Sequence, residues 1–94
     1  MEMPPATRIR YFTSYSGLKL PLRLIGEIDA LSIAHRLTYF RAEYDSDDRI
    51  RQLEKWVTGR VELRHRYTYD AAGALLESEV TDADGEIAVI HPTP

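Results

Sequence analysis

Residues 60–91 read RVELRHRYTYDAAGALLESEVTDADGEIAVIH: three runs of alternating polar and apolar residues, broken by DAAG at 70–73 and DADG at 82–85. An Asp that opens a turn accepts hydrogen bonds from backbone amides just ahead of it. A Gly that closes it takes the left-handed conformation that side chains resist. The stretch is therefore three strands joined by two tight turns. Working toward the N-terminus, DSDD at 45–48 and TG at 58–59 repeat the signal, with Asp48 standing in for the glycine, since Asp tolerates the left-handed region better than most residues. The turns open at 45, 58, 70 and 82, intervals of 13, 12 and 12 residues. Such regular spacing predicts an antiparallel meander. Its five strands fall near 36–44, 49–57, 60–69, 74–81 and 86–91.

If DAAG closes its hairpin with Tyr69 facing Ala74, Arg66 meets Glu77 and Arg64 meets Glu79 on one face. On the other, Tyr67 meets Leu76, His65 meets Ser78 and Leu63 meets Val80. DADG extends the apolar side by setting Val80 against Ile87, Ser78 against Val89 and Leu76 against His91. In this register the basic stripe of the third strand is neutralised by the acidic fourth. Few cations then remain for phosphates, and nucleic-acid binding is not expected.

Before residue 36 the pattern is mixed. RIRYF (8–12) and GLKLPLRLI (17–25) are strand-like and TSYSG (13–17) lies between them, which predicts an N-terminal hairpin. Pro21 has no N–H to give a ladder, so the second of these strands belongs at an edge. GEIDALSIAH (26–35) holds one short helix, with Ile28, Leu31 and Ala34 to one side, or is a loop. The expected fold class is mainly β: a meander of about five strands, an N-terminal hairpin and at most one short helix, in a single domain over 1–94 with a flexible tail at 1–7.

Composition agrees with an ordinary small globular domain: 94 residues, 44% hydrophobic and 29% charged. No segment approaches a membrane span, and MEMPPATRIR lacks the apolar core of a signal peptide, so the expected location is the cytoplasm. With no cysteine there are no disulfides, thiolate metal sites or cysteine nucleophiles. The net charge of -3 is unevenly spread. Residues 1–66 carry 12 Lys and Arg against 9 acids, and residues 67–94 carry 6 acids and no base. The two halves either neutralise each other in one sheet or present an acidic end to a basic partner.

Two resemblances follow from the motifs. YTYDAAGALLESEVTDADGEIAVI (67–90) resembles the YD repeat of Rhs-type proteins, and FRAEYDSDDRI (40–50) is a degenerate copy upstream. That resemblance implies turn chemistry and a β-meander, not the shell those much larger proteins form. YFTSYSGLKLPL (11–22), LTYFRAEYD (37–45), VELRHRYTYD (61–70) and TDADGE (81–86) together resemble a family of small bacterial proteins classed as a domain of unknown function. It implies no activity, cofactor or site.

The residues offer little chemistry. TSYSG lacks the Gly-x-Ser-x-Gly elbow, so Ser14 and Ser16 are turn serines. The Asp-rich turns fail as calcium loops, because the sixth and twelfth positions from Asp82 are Ile87 and Thr93, and from Asp45 are Ile50 and Trp56. His35, His65 and His91 are the only imidazoles. In the inferred register His65 and His91 stand about 12 Å apart, too far to share an ion. No metal and no cofactor are expected. His65 lies on the apolar face of a central strand, either buried and hydrogen-bonded or forming with Tyr67, Tyr69 and Ser78 a polar notch for a small ligand or acid-base work. Tyr39, Phe40, Tyr44 and Trp56 are cross-strand packing or, on a sheet with apolar residues on both faces, a surface awaiting a partner. The leading expectation is a non-catalytic interaction module, an accessory subunit that binds a protein or a second copy of itself. A small-molecule-binding protein or small enzyme at His65 is the alternative.

Overall fold

The computed structural model describes residues 7–92, so most of the expected tail at 1–7 lies outside the described residues. The chain forms β1 (Arg8–Ser16), β2 (Arg23–Ile28), a 3₁₀ helix (Ala30–His35), β3 (Thr38–Tyr44), β4 (Ile50–Val57), β5 (Arg60–Tyr69), β6 (Leu75–Thr81) and β7 (Ile87–Ile90). All seven strands join one antiparallel sheet in the order β2-β1-β3-β4-β5-β6-β7. The expected class is the one observed: a five-strand meander, β3 to β7, extended by an N-terminal pair.

The Asp turns have one construction used three times. Asp45, Asp70 and Asp82 each donate their own N–H to the carbonyl four residues on, at 2.9, 2.9 and 3.0 Å. Each Oδ1 accepts two amides, from Asp47 and Arg49, from Ala72 and Ala74, and from Asp84 and Glu86. The fourth residue of each is left-handed: Asp48 at φ 63°, Gly73 at 88° and Gly85 at 83°. Thr58 and Gly59 form the remaining two-residue turn, with both φ positive.

This geometry corrects the inferred register. Because Asp70 itself pairs with Ala74, the hairpin closes one residue later than expected and Tyr69 faces Leu75. A bulge between Thr68 and Tyr69 adds a second step, so Tyr67 faces Ser78, His65 faces Val80 and Arg66 faces Glu79. Arg64 faces Thr81, and its ion partner is Glu54 on β4, not an acid on β6. At the last hairpin a single step puts Val80 against Ala88 and Ser78 against Ile90. Ile87 and Val89 thus share the face of Glu79 and Thr81, opposite to the one expected.

The N-terminal hairpin is also rearranged. TSYS belongs to β1, and residues 17–22 form the connection. Leu20, Leu22 and Leu24 pack on the core, and the Leu22 amide donates to the Tyr67 hydroxyl on β5 at 3.1 Å. The alternating leucines fit a strand equally well, but Pro21 cannot donate to a ladder. Laid across the sheet, the segment covers apolar surface that a longer hairpin would leave in water. Gly26, at φ 74°, lies beside Thr13, whose Oγ1 occupies the space a Cβ would need. Alternation breaks there: Phe12 faces Phe40 across the ladder, while Tyr15, three residues on, sets its ring on Phe40 at 5.8 Å. The 3₁₀ helix carries the chain from β2 over β1 to β3, capped by Asp29, which accepts from the Ser32 amide and hydroxyl.

The core is therefore one face of the sheet, built from Phe12, Phe40, Ala42, Ile50, Leu53 and Tyr67, and closed by Leu22 from the crossing segment.

Candidate functional site

Three places concentrate chemistry. The first lies under the crossing segment. Alternation along β5 points His65, Tyr67 and Tyr69 into the core, and Ser78 meets Tyr67 from β6. The Tyr67 hydroxyl accepts the Leu22 amide and lies 2.7 Å from His65 Nδ1, within hydrogen-bond distance. A neutral His65 with its proton on Nε2 accepts the tyrosine hydrogen at Nδ1. Burial lowers the His65 pKa, and burial pushes Tyr67 up to about 12, so both are neutral near pH 7. Tyr69 turns aside: its hydroxyl donates to the Ile50 carbonyl at 2.6 Å, and Arg49 and Arg51 lie over its ring at 5.3 and 5.4 Å. Ser78 Oγ is buried and has no hydrogen-bond partner among the described residues. The structure brings His65, Tyr67 and Ser78 together and leaves Tyr69 at the rim. Tyr69 lines a groove with Leu22, Arg23, Tyr44 and Leu75 that does not include His65 or Ser78.

The second place is the opposite face. Tyr39 stacks on Trp56 with ring centroids 6.1 Å apart and planes 6° apart, and Tyr11 sets its edge on Tyr39 at 6.1 Å. Beside this ladder Glu54 is 6% exposed. Arg64 donates to its Oε2 through Nε at 3.1 Å and Nη2 at 2.9 Å, Trp56 Nε1 donates to Oε1 at 3.1 Å, and Arg41 stands 3.7 Å away. Arg66 has no ion pair among the described residues and lines a polar groove of ≈ 430 Å³ with Glu43, Arg51, Glu77 and Glu79. The quartet proposed from sequence is divided by the sheet. Tyr39 and Trp56 share this face, whereas Phe40 is in the core and Tyr44 packs against it, with Arg10 over the Tyr44 ring at 5.0 Å.

Asp45, which opens the DSDD turn, is also a structural centre. Besides its two amides it accepts from Arg51 Nε at 2.8 Å. Burial alone would raise its pKa, but the amides of Arg49 and Asp47 and the Arg51 bond together hold it below the usual carboxylate value.

The third place is the end of the sheet. All four residues of β7 are exposed, with Ile87 at 61%, Val89 at 51% and Ile90 at 44%. Among the described residues no strand pairs with its outer edge. The IAVI run itself was legible, but its position as the terminal strand depended on the topology.

Elsewhere, His35 ends the 3₁₀ helix and His91 lies exposed beyond β7. Among the described residues no three His, Asp or Glu side chains gather as metal ligands would, and no helix is long and apolar enough to cross a membrane.

The sheet and its sites define a small antiparallel β domain whose polar side chains mostly serve one another. No curated protein and no solved structure matches the chain at a significant level. A family model does, over residues 4–93, and the chain belongs to that family, described as a family of unknown function (DUF6156).

Proposed function

We propose that the protein is a non-catalytic protein-interaction module of the cytoplasm, an accessory subunit whose work is to hold another polypeptide. One observation carries this reading: among the described residues, β7 ends the sheet with four exposed apolar residues and an open backbone edge. Unpaired N–H and C=O groups flanked by apolar side chains are what an added strand needs, and folded proteins usually blunt such edges. Most of the polar groups that would otherwise suggest chemistry are engaged with each other. His65 holds Tyr67, Glu54 holds Arg64 and Trp56, and Asp45 holds its own turn.

The test is affinity capture of the tagged full chain at moderate salt, with stoichiometry from native mass spectrometry. Recovery of one polypeptide at a fixed ratio supports the reading. A strict monomer that brings down nothing contradicts it.

A second reading, a small-ligand site at His65, Tyr67 and Ser78 with Tyr69 at its rim, draws on the buried Ser78 Oγ, which has no hydrogen-bond partner among the described residues. Its test is the His65 ring shift in NMR during a screen of small polar compounds. A compound that moves it specifically supports a ligand site, and a ring indifferent to all of them does not.

A further inference from the structure

The sheet has two ends, and they are unlike. At β2 the edge carries Arg23 and Glu27, is kinked at Gly26 with φ 74°, and has Glu27 clamped by Arg10 through bonds of 3.0 and 2.6 Å. Charge and irregularity of this kind prevent an added strand from finding a continuous ladder. The other end, β7, has no charge, no glycine, no proline and no bulge against β6.

The backbone of β7 can be assigned residue by residue. Asp82 donates to Glu86 O at 3.0 Å, which makes that pair hydrogen-bonded, and the β6–β7 register runs on without a shift. Antiparallel ladders alternate bonded and non-bonded pairs. Ala88 and Ile90 therefore bond inward to Val80 and Ser78. Ile87 and Val89 direct their N–H and C=O groups outward.

Charge selects what pairs with them. Asp82, Asp84 and Glu86 crowd the N-terminal end of β7, and Glu77 approaches His91 at 4.0 Å beyond its C-terminal end. Residues 67–94 contain no Lys or Arg at all. A second copy joined edge to edge through β7 would set two such acidic regions side by side, and its β2 edge is blunted.

Resting on the interaction-module reading, we propose that β7 accepts an extended segment of another protein as an eighth strand. That segment has apolar or β-branched residues at its centre and Lys or Arg at both ends. The two apolar faces of β7, Ile87 with Val89 and Ala88 with Ile90, demand the centre. The acids at either end demand the flanks.

The experiment is amide hydrogen exchange by NMR on the full chain. The probe is a capped seven-residue peptide with lysine at both ends and alternating valine and threonine between. Slowed exchange at Ile87 and Val89, with Ala88 and Ile90 unchanged, is the expected result. Binding should weaken with salt and fail when glutamate replaces the two lysines. Val89→Pro removes an outward N–H without touching the β6 ladder, so it should leave the β3–β5 resonances in place and weaken the peptide at least about tenfold. Glu86→Lys should weaken it while leaving every backbone group intact. Equal binding of both peptides, undiminished binding by Val89→Pro, or no protection at any peptide concentration would overturn the proposal. Concentration-dependent protection of Ile87 and Val89 without peptide would overturn it in favour of a second copy. If the proposal fails while capture still recovers a partner that Val89→Pro does not release, the interaction reading survives and only its location at β7 falls.

Discussion

Tyr67 and His65, two residues apart on β5, are joined by a 2.7 Å hydrogen bond, and the same tyrosine oxygen receives the Leu22 amide from a segment 45 residues away in sequence. One hydroxyl thus joins a buried histidine to the segment that closes the core. Tyr67→Phe keeps the ring and removes the link, stranding a buried amide and a ring nitrogen. The expected loss is about 1–3 kcal/mol in chemical denaturation. The Leu22 amide should become one of the faster-exchanging amides of the core.

His65 makes stability depend on pH. Its folded pKa is lowered by burial, so protonation favours the unfolded chain. The stability it contributes is complete above the unfolded value of about 6.5 and is lost as pH falls from there through the folded pKa. Melting temperature should decline in that window for the wild type and much less for His65→Phe. An equal decline in both would place the titration elsewhere.

Asp45 should behave unlike its counterparts in the other turns. Asp82 serves an exposed turn, and Asp82→Ala should cost about 1 kcal/mol, as the loss of a cap does. Asp45 is 6% exposed and also holds Arg51, so Asp45→Ala should cost about 2–3 kcal/mol. Its folded pKa is lowered, so its contribution is present above the unfolded value of about 4 and lost as pH falls below that. The difference between the two variants should therefore shrink in acid, which urea titrations at two pH values would measure.

Leu53 is fully buried at the centre of β4, facing Ala42 and His65 on its two neighbours. Leu53→Ala should cost about 2–5 kcal/mol, a large part of the stability of so small a domain. A loss below about 1 kcal/mol would mean that the crossing segment collapses into the gap.

The sequence revealed the meander because its signal is local. Asp70 with Gly73 and Asp82 with Gly85 act within five residues, and β5 occupies the residues predicted for it, Arg60–Tyr69. Register depended on what alternation does not encode. Whether Tyr69 or Asp70 forms the closing pair is a matter of one hydrogen bond, and nothing in YTYD marks the bulge at Thr68. The site was legible to the same degree. His65 and Tyr67 on the inner face followed from period two, but the other partner of the Tyr67 hydroxyl, Leu22, lies on a segment whose alternating leucines read as a strand. The burial of Glu54 was hidden because it depends on Arg41, Arg64 and Trp56 arriving from three strands at once.

The most direct measurement is a paired capture: wild-type protein and Val89→Pro, tagged alike, exposed to the same extract at moderate salt and quantified by mass spectrometry. One polypeptide should be recovered in fixed ratio by the wild type and strongly depleted from the variant, with both proteins equally folded by circular dichroism. A wild-type protein that recovers nothing and sediments as a monomer would contradict it.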